Sequence, residues 1–308
     1  MVVHASLQQH EGLHRLASDE LSVEVATRGA RITSLKSRLD GREWLAQPKG
    51  AGAIEPAYGA RFTDTDHFGW DEMFPSVDAC TYPADPFAGL NVADHGELWS
   101  LQWETVEVSE NTIVQRVRSE RFAYRFERAL VLEGSTLRAN YTVTLDDTES
   151  AALPLLWALH PQFALQAGSR VELSGDRPYV LDTSDAATVR SVEWLGDLVI
   201  ERDVESGCDR MIYAAPDEQV REARIVDRDG STLRLTWDHT FAPYLGVWMD
   251  HGRYTSGRVA AIEPTNGFFD DLERAYTSGT VGIFAPGEHV TWWVKLNIEQ
   301  GDNSCVNS

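Results

Sequence analysis

The stretch TLRANYTVTLD, from Thr136 to Asp146, decides the fold class because its residues alternate strictly between apolar and polar. The same alternation returns near the end of the chain in VTWWVKLNIE, from Val290 to Glu299. A period of two residues places all the apolar side chains on one face of a β-strand. Both stretches are therefore predicted to be half-buried strands of an antiparallel sheet.

Shorter segments around these two extend the pattern. Strands are also predicted over residues 21–25, 112–119 and 122–133. Asp229-Gly230, between ARIV and TLRLTW, predicts a hairpin with a type I′ turn, whose two central residues both have positive φ. One short helix is predicted from Asp270 to Tyr276, with acidic residues at its amino-terminal end.

The domain organisation is predicted from two features that the sequence lacks, long amphipathic helices and a linker. Strands do not alternate with long amphipathic helices, which argues against a parallel α/β architecture. Neither a Pro/Ser-rich linker nor a break in composition divides the sequence. We therefore expect one antiparallel all-β domain over residues 1–308, with loop-rich insertions at Gln47–Gly69 and Asp176–Gly207.

Composition and charge restrict the possible partners. The chain is 43% hydrophobic, which is enough to bury a large core. It carries 27 Lys and Arg against 48 Asp and Glu, a net charge of −21. This is the wrong sign for neutralising phosphates or anionic lipids, so nucleic acids and membrane surfaces are not expected as partners.

Cysteine usage and the absence of a targeting segment bear on location. The three cysteines, Cys80, Cys208 and Cys305, show neither a disulfide framework nor a C-x-x-C spacing. Neither a signal peptide nor an apolar run long enough to span a membrane is recognisable. We expect reduced thiols in a cytoplasmic protein.

Three segments place an ionisable residue in apolar or conformationally restricted surroundings. His160 in LPLLWALHPQF and Glu263 in VAAIEPTNGFF each end an apolar run and precede a proline, which favours an extended backbone. His95 precedes Gly96, whose missing side chain permits close approach of another backbone segment. Taken singly, His160 suits a hydrogen-bonded core histidine, and Glu263 suits either a buried ion pair or a functional acid.

Motifs for metals, nucleotides and nucleophilic catalysis are absent from the sequence. Asp-His dipeptides do occur, but neighbouring side chains on a strand point to opposite faces, which argues against metal ligation. These pairs are Asp66-His67, Asp94-His95, Asp238-His239 and Asp250-His251. No metal and no cofactor are expected.

The three segments occur in the order and settings of one family, and the sequence resembles the aldose 1-epimerase (galactose mutarotase-like) family over most of its length. His95-Gly96, with Trp103 eight residues on, resembles the family's His-Gly segment. His160-Pro161-Gln162-Phe163 is similar to its H-P-x-F segment. Ile262-Glu263-Pro264, followed by Pro286-Gly287-Glu288 and a last strand, resembles its I-E-P segment and the P-G-E turn.

The resemblance implies a single-domain antiparallel β-supersandwich with a cleft that holds a small-molecule sugar. It implies that Glu263 is the general base that removes the proton of the anomeric hydroxyl. His160 would be the general acid that protonates the ring oxygen, and His95 would be an assisting sugar ligand. One base and one acid suffice for this ring opening, since each typically contributes about 10²–10⁴ in rate.

Other residues are candidates for contacting the sugar. The family's substrate-binding Asn-Arg segment is not recognisable, and Arg61 lies in about the right region. Asp71 and Glu72 could accept hydrogen bonds from sugar hydroxyls, or they could belong to a solvated loop. Aromatic rings can pack on the apolar face of a sugar. The candidates are Trp248, Trp70, Trp99 and Trp103, each of which could equally be a core residue.

Two other functions compete with the epimerase. A carbohydrate-binding or sensing protein would keep the cleft without turnover, although it would not need the acid–base pair. A glycoside hydrolase would use Glu263 with Asp71 or Glu72 as paired carboxylates. The sequence leaves the sugar and the oligomeric state open, but a neutral sugar is expected, because residues 62–115 contain 11 Asp and Glu and no Lys or Arg.

Overall fold

The computed structural model describes residues 12–49, 56–147, 151–175, 179–182, 190–193 and 207–301. In the first half of the chain the strands are β1 (Leu13–Ala17), β2 (Leu21–Ala26), β3 (Ile32–Ser37), β4 (Trp70–Met73), β5 (Cys80–Thr81), β6 (Asn91–Val92), β7 (Glu104–Val108), β8 (Thr112–Arg118), β9 (Tyr124–Glu133), β10 (Thr136–Leu145) and β11 (Leu153–Pro154). In the second half they are β12 (Ala158–Leu165), β13 (Arg170–Leu173), β14 (Tyr179–Asp182), β15 (Arg190–Glu193), β16 (Asp209–Ala214), β17 (Glu222–Val226), β18 (Thr232–Trp237), β19 (Tyr244–His251), β20 (Arg258–Thr265), β21 (Ile283–Phe284) and β22 (His289–Glu299). Within these described ranges, helical structure comprises α1 (Leu272–Thr277) and two 3₁₀ turns, Phe62–Asp64 and Leu98–Ser100.

Two large antiparallel sheets make up most of the structure described, and β5-β6 and β11-β21 form two small ones. One large sheet has the order β1-β2-β3-β4-β12-β20-β19-β16-β14-β15, and the other β13-β17-β18-β22-β10-β9-β8-β7. Side chains of the two sheets share one hydrophobic core. The all-β antiparallel fold predicted from the alternation is confirmed.

The predicted central strands pair in the second sheet. β10 lies beside β22, with Tyr141 opposite Trp292 and Leu137 opposite Leu296. The apolar residues of β10 are all at most 1% exposed, so the whole apolar face is buried. The strands predicted over 21–25, 112–119 and 122–133 correspond to β2, β8 and β9.

The hairpin at Asp229-Gly230 is confirmed, but its predicted turn type is wrong. Val226 of β17 pairs with Thr232 of β18, so the connection is longer than two residues. Only Gly230 has a positive φ, +85°, and its N–H donates to the Asp227 carbonyl. The longer loop removes the need for a positive φ at Asp229.

The helix prediction is confirmed with shifted ends. The α1 helix begins after Asp271, whose carboxylate accepts a hydrogen bond of 2.6 Å from the Arg274 N–H. That contact satisfies one of the backbone donors left unpaired at a helix start.

The two predicted insertions differ in structure. The described parts of 176–207 include β14 and β15, which extend the first sheet, so a loop-rich insertion is wrong for these two segments. The described parts of 47–69 contain the 3₁₀ turn Phe62–Asp64 and irregular chain that reaches the candidate site. Cys305 lies outside the described residues.

Candidate functional site

A cavity of about 210 Å³ lies where the middle strands of the ten-stranded sheet meet several loops. Pockets for drug-sized ligands have volumes of about 300–1,000 Å³, so this one suits a single small molecule. Its lining comprises Phe62, Thr63, His67, Met73, Val77, Asp78, His95, His160, Asp209, Met211, Trp248, Tyr254, Glu263 and Asp270.

The sheet register brings His160 and Glu263 together. Ala158 pairs with Thr265 and Gln162 with Ala261, so residues 160 and 263 lie opposite each other on β12 and β20. The imidazole Nε2 is 3.7 Å from the Glu263 carboxylate Oε1. Residues 103 positions apart in the chain thus form one acid–base pair across two neighbouring strands.

Both members of this pair are only 4% exposed. Burial raises the pKa of the Glu263 carboxyl well above its ordinary value, and the negative charge of Asp78 raises it further. Burial lowers the pKa of His160 well below its ordinary value, and the nearby His95, His67 and Arg31 lower it further. Perturbed groups facing a cavity are typical of functional sites.

His95 reaches the same cavity from a turn rather than a strand. Its φ is +59°, and its Nδ1 lies 2.9 Å from the Asp94 carboxylate. The expectation that Asp-His neighbours point apart is therefore wrong here, because the two residues are not in a strand. The ring stacks on Phe62 with 4.0 Å between centroids, and Asp94 also accepts a hydrogen bond of 2.8 Å from the Phe62 N–H.

Gly96 explains how this turn is held in place. A Cβ at this position would lie 2.0 Å from the Phe74 carbonyl oxygen, and the φ of Gly96 is +67°. The close backbone approach predicted for Gly96 is confirmed. Only glycine meets both requirements without strain.

Trp248 and Asp209 form another side of the cavity. Trp248 lies on β19 opposite Met211 of β16, and its indole Nε1 is 3.5 Å from the Asp209 carboxylate. Arg253 also donates to Asp209 at 2.5 Å. The other candidate tryptophans, Trp70, Trp99 and Trp103, are at most 2% exposed, do not line the cavity and pack in the interior.

Asp71 and Glu72 are not in the solvated loop considered from the sequence. Both lie in β4 and are at most 1% exposed, and neither lines the cavity. Asp71 accepts a hydrogen bond of 2.7 Å from Arg31. Glu72 faces the second sheet, where its carboxylate is 3.1 Å from Arg128 and 2.9 Å from the Tyr141 hydroxyl.

Arg61 does not line the cavity either. It is exposed and immediately precedes the 3₁₀ turn Phe62–Asp64. Among the described residues, the cavity lining contains no Lys or Arg. The structure thus brings together His95, His160, Trp248 and Glu263, and leaves Arg61, Asp71 and Glu72 outside.

Ten of the fourteen lining residues were not identified as site residues from the sequence, and four of them carry polar or aromatic side chains that bear on the site. His67 belongs to an Asp-His pair that the strand argument set aside, whereas Phe62, Asp209 and Tyr254 carry no motif. His67 lies in the loop-rich segment 47–69, where the rule that neighbouring side chains point to opposite faces of a strand does not apply. That position was the sequence feature that could have identified it.

Comparison with known proteins identifies the family. The family model for aldose 1-epimerase matches residues 13–297, nearly the whole described chain. The chain belongs to the aldose 1-epimerase family. No curated protein matches this member of the family significantly.

Solved structures from several organisms share the fold of this family member. A galactose mutarotase-like protein from Lactobacillus casei is 15% identical, with a TM-score of 0.70, covering 94% of this chain and 100% of that one. A protein from Synechocystis gives 16% identity and a TM-score of 0.71, with 97% and 100% covered. The GalM/aldose epimerase homologue from C. elegans gives 13% identity and a TM-score of 0.64, with 94% and 99% covered. At these identities the likeness establishes the mutarotase-like fold.

Two further features of the described residues concern metals and membranes. No group of three or more His, Cys, Asp or Glu is arranged there to hold a metal ion. None of the helices in this part of the chain is long and apolar enough to cross a membrane.

Proposed function

We propose that this chain is an aldose 1-epimerase that interconverts the α and β anomers of a free neutral sugar. The observation that carries the proposal is the 3.7 Å approach of His160 Nε2 to Glu263 Oε1 in a cavity of monosaccharide size. Membership of the aldose 1-epimerase family supports the same reaction class.

The reaction needs two proton transfers at neighbouring oxygens. Glu263 removes the proton of the C1 hydroxyl, the C1–O5 bond breaks with its electron pair moving to O5, and His160 protonates O5. The open-chain aldehyde rotates about C1–C2 and closes on its other face by the reverse steps. Because both oxygens are bonded to C1, the acid and the base must lie close together, as these two residues do.

The proton shared by the pair has two arrangements. Burial favours neutral His160 with protonated Glu263. Attraction between an imidazolium and a carboxylate favours the charged arrangement, which holds the same number of protons. The charged arrangement is the reactive one, and one proton moving between Oε1 and Nε2 connects the two.

His95 and Trp248 are proposed sugar ligands. With Nδ1 engaged by Asp94, the Nε2 of His95 is available for a sugar oxygen. Trp248 supplies a flat apolar surface at the cavity wall, which suits the C–H face of a sugar ring.

The lining charges support a neutral substrate. Recognition of a phosphate or sulfonate usually requires Arg, Lys or a helix amino terminus. The described lining offers no Lys or Arg and includes the acidic residues Asp78, Asp209, Glu263 and Asp270. The described lining therefore offers no cationic side chain of Lys or Arg to pair with an anionic sugar.

A glycoside hydrolase is less well supported. Such enzymes place two carboxylates on opposite sides of the scissile bond. The partners considered from the sequence, Asp71 and Glu72, are engaged by Arg31 and Arg128 outside the cavity. Release of reducing sugar from methyl glycosides would favour this alternative.

Anomeric exchange measured by NMR tests the proposal. The panel comprises pentoses, hexoses, uronic acids and sugar phosphates, each started from one pure anomer. We expect the protein to accelerate exchange of at least one neutral sugar. Binding without acceleration would favour the sensing protein, and a sugar phosphate converted at least tenfold more efficiently than its parent sugar would contradict the neutral substrate.

We also propose that the chain is one domain and is cytoplasmic. The hydrophobic core includes residues of both large sheets, which supports a single domain. Cys80 and Cys208 are thiols, which suits a reducing compartment.

A further inference from the structure

His67 is the histidine of the cavity that the proposed reaction does not use. Its side chain lines the cavity and the residue is 7% exposed. Both ring nitrogens are buried, and neither has a hydrogen-bond partner among the described residues. In contrast, His95 is bonded to Asp94, and the Nε2 of His160 faces Glu263.

The surroundings of His67 are aromatic. Its ring stacks on Tyr254 with 4.9 Å between centroids and meets the edge of Phe62 at 4.7 Å. Trp248 lies 6.2 Å away. A phenylalanine would serve this packing without burying two unpaired polar atoms, so packing alone does not account for an imidazole.

The charge state of His67 suits recognition of a hydroxyl group. Burial lowers its pKa to about 4, with further lowering by His95, Arg31 and Lys49 and partial opposition from Asp250. The ring is therefore neutral at physiological pH and offers one N–H donor and one nitrogen acceptor. A sugar hydroxyl, which can both donate and accept, complements either nitrogen.

The loop that carries Tyr254 is held in place beside His67. The backbone N–H groups of Tyr254 and Thr255 donate to the Asp250 carboxylate, at 3.2 Å and 2.8 Å, so this part of the loop is anchored. Tyr254 is half-buried at the cavity wall and stacks on the face of the imidazole, not on its edge, which carries the two ring nitrogens.

We propose that His67 binds one hydroxyl group of the sugar and thereby determines which neutral sugars the cavity accepts. The proposal rests on the proposed function of the same cavity. His67 acts in binding and takes no part in the proton transfers, which belong to Glu263 and His160.

The test combines His67→Phe with deoxy sugars. The probes are D-glucose, D-galactose and their 2-, 3-, 4- and 6-deoxy analogues, followed by anomeric exchange. Loss of one hydrogen bond should raise KM for the parent sugar about 2- to 10-fold while changing kcat less. Wild type should disfavour one deoxy sugar by a similar factor, and His67→Phe should no longer make that distinction.

Matched variants separate binding from packing. His67→Gln keeps a donor and an acceptor and should restore part of the affinity. His251→Phe removes another buried histidine, which is 9% exposed and outside the cavity lining, and should leave KM unchanged. The melting temperature of His67→Phe should equal or exceed that of wild type, because two unpaired buried nitrogens are removed.

Two results would overturn the proposal. One is an unchanged KM and unchanged deoxy-sugar preference in His67→Phe while wild type is active. The other is equal calorimetric affinity of wild type and His67→Phe for the same sugars. This binding measurement decides the role of His67 even if wild type accelerates no sugar, a result that would by itself contradict only the proposed function.

Discussion

Glu72 and Glu263 lie on β4 and β20, the two strands that flank β12, yet they have opposite surroundings. Both are at most 4% exposed, and burial raises the pKa of both. Glu72 faces the second sheet, where its carboxylate meets four donors within 3.2 Å: Trp70, Arg128, Tyr141 and Trp157. Glu263 faces the cavity, where the described ion-pair partner, His160, is 3.7 Å away.

The difference separates a carboxylate that stabilises the fold from one available for chemistry. Glu72 uses its oxygens to join the two sheets, so little of its bonding capacity remains for a ligand. Glu263 is buried with little compensation, which costs stability but leaves its lone pairs available to a sugar hydroxyl.

The largest expected effect is on catalysis. Glu263→Gln and His160→Asn should each reduce the rate of anomeric exchange about 10²–10⁴-fold, because each removes one proton transfer. The double variant should lose less than the product of the two, since the paired groups act as a unit. Exchange measured by NMR on folded variants provides the check.

His95→Asn is the control for this comparison. Its effect should be milder and should include weaker sugar binding. A stably folded Glu263→Gln protein retaining more than about a tenth of the wild-type rate would defeat the acid–base mechanism.

Next in size is the effect of Glu72 on stability. Glu72→Ala leaves Arg128 buried without its carboxylate, so the free energy of unfolding should fall by about 3–5 kcal/mol. Denaturant unfolding measures the loss, and activity per folded molecule should persist. A loss below about 1 kcal/mol would show that the four donors do little for the fold.

Replacing both partners sharpens this result. Glu72→Leu combined with Arg128→Met removes both charges from the core. Much of the lost stability should return, because a buried ion pair can often be exchanged for apolar groups of similar volume.

The pH dependence of the rate should reveal Glu263. The reactive arrangement holds one proton between His160 and Glu263, so kcat/KM should fall about tenfold per pH unit at high pH, where the pair loses that proton. The midpoint of this alkaline limb should lie above 4.5, the ordinary value for a glutamate, because the raised pKa of Glu263 keeps the proton on the pair. A rate profile from pH 4 to pH 9 whose activity falls through its midpoint near pH 4.5 as pH rises would be the opposite result.

The smallest expected effect is a gain in stability. The folded pKa of Glu263 is raised, so the folded protein holds this proton more tightly than the unfolded chain does. This contribution is fully present below the unfolded pKa of about 4.5 and is lost as pH rises through the folded pKa. Glu263→Gln does not lose this contribution, so its free energy of unfolding relative to wild type should be higher at pH 8 than at pH 5.

Thermal unfolding at pH 5 and pH 8 checks this last expectation. The advantage of the glutamine variant should grow with pH. An advantage that shrinks towards pH 8 would mean that the Glu263 charge is stabilised in the folded protein.

Much of the fold and part of the site could be predicted from local sequence. Alternation identifies β10 and β22 because a half-buried strand repeats every two residues. The proline after His160 and the proline after Glu263 mark extended backbone at the end of apolar runs. The surroundings of Asp71 and Glu72 could not be predicted, because their partners Arg31 and Arg128 lie 40 and 56 residues away.

The sequence by itself determined the long alternating strands and the antiparallel class, and its resemblance to one family indicated the two residues proposed as acid and base. Only the tertiary structure decided which of the 48 acidic residues meets which partner. The reason is the register of β12 between β4 and β20: it sets Asp71 beside His160 on one side and Glu263 opposite His160 on the other. Register depends on contacts between strands about 90 to 100 residues apart, and no local pattern encodes which residues those contacts align.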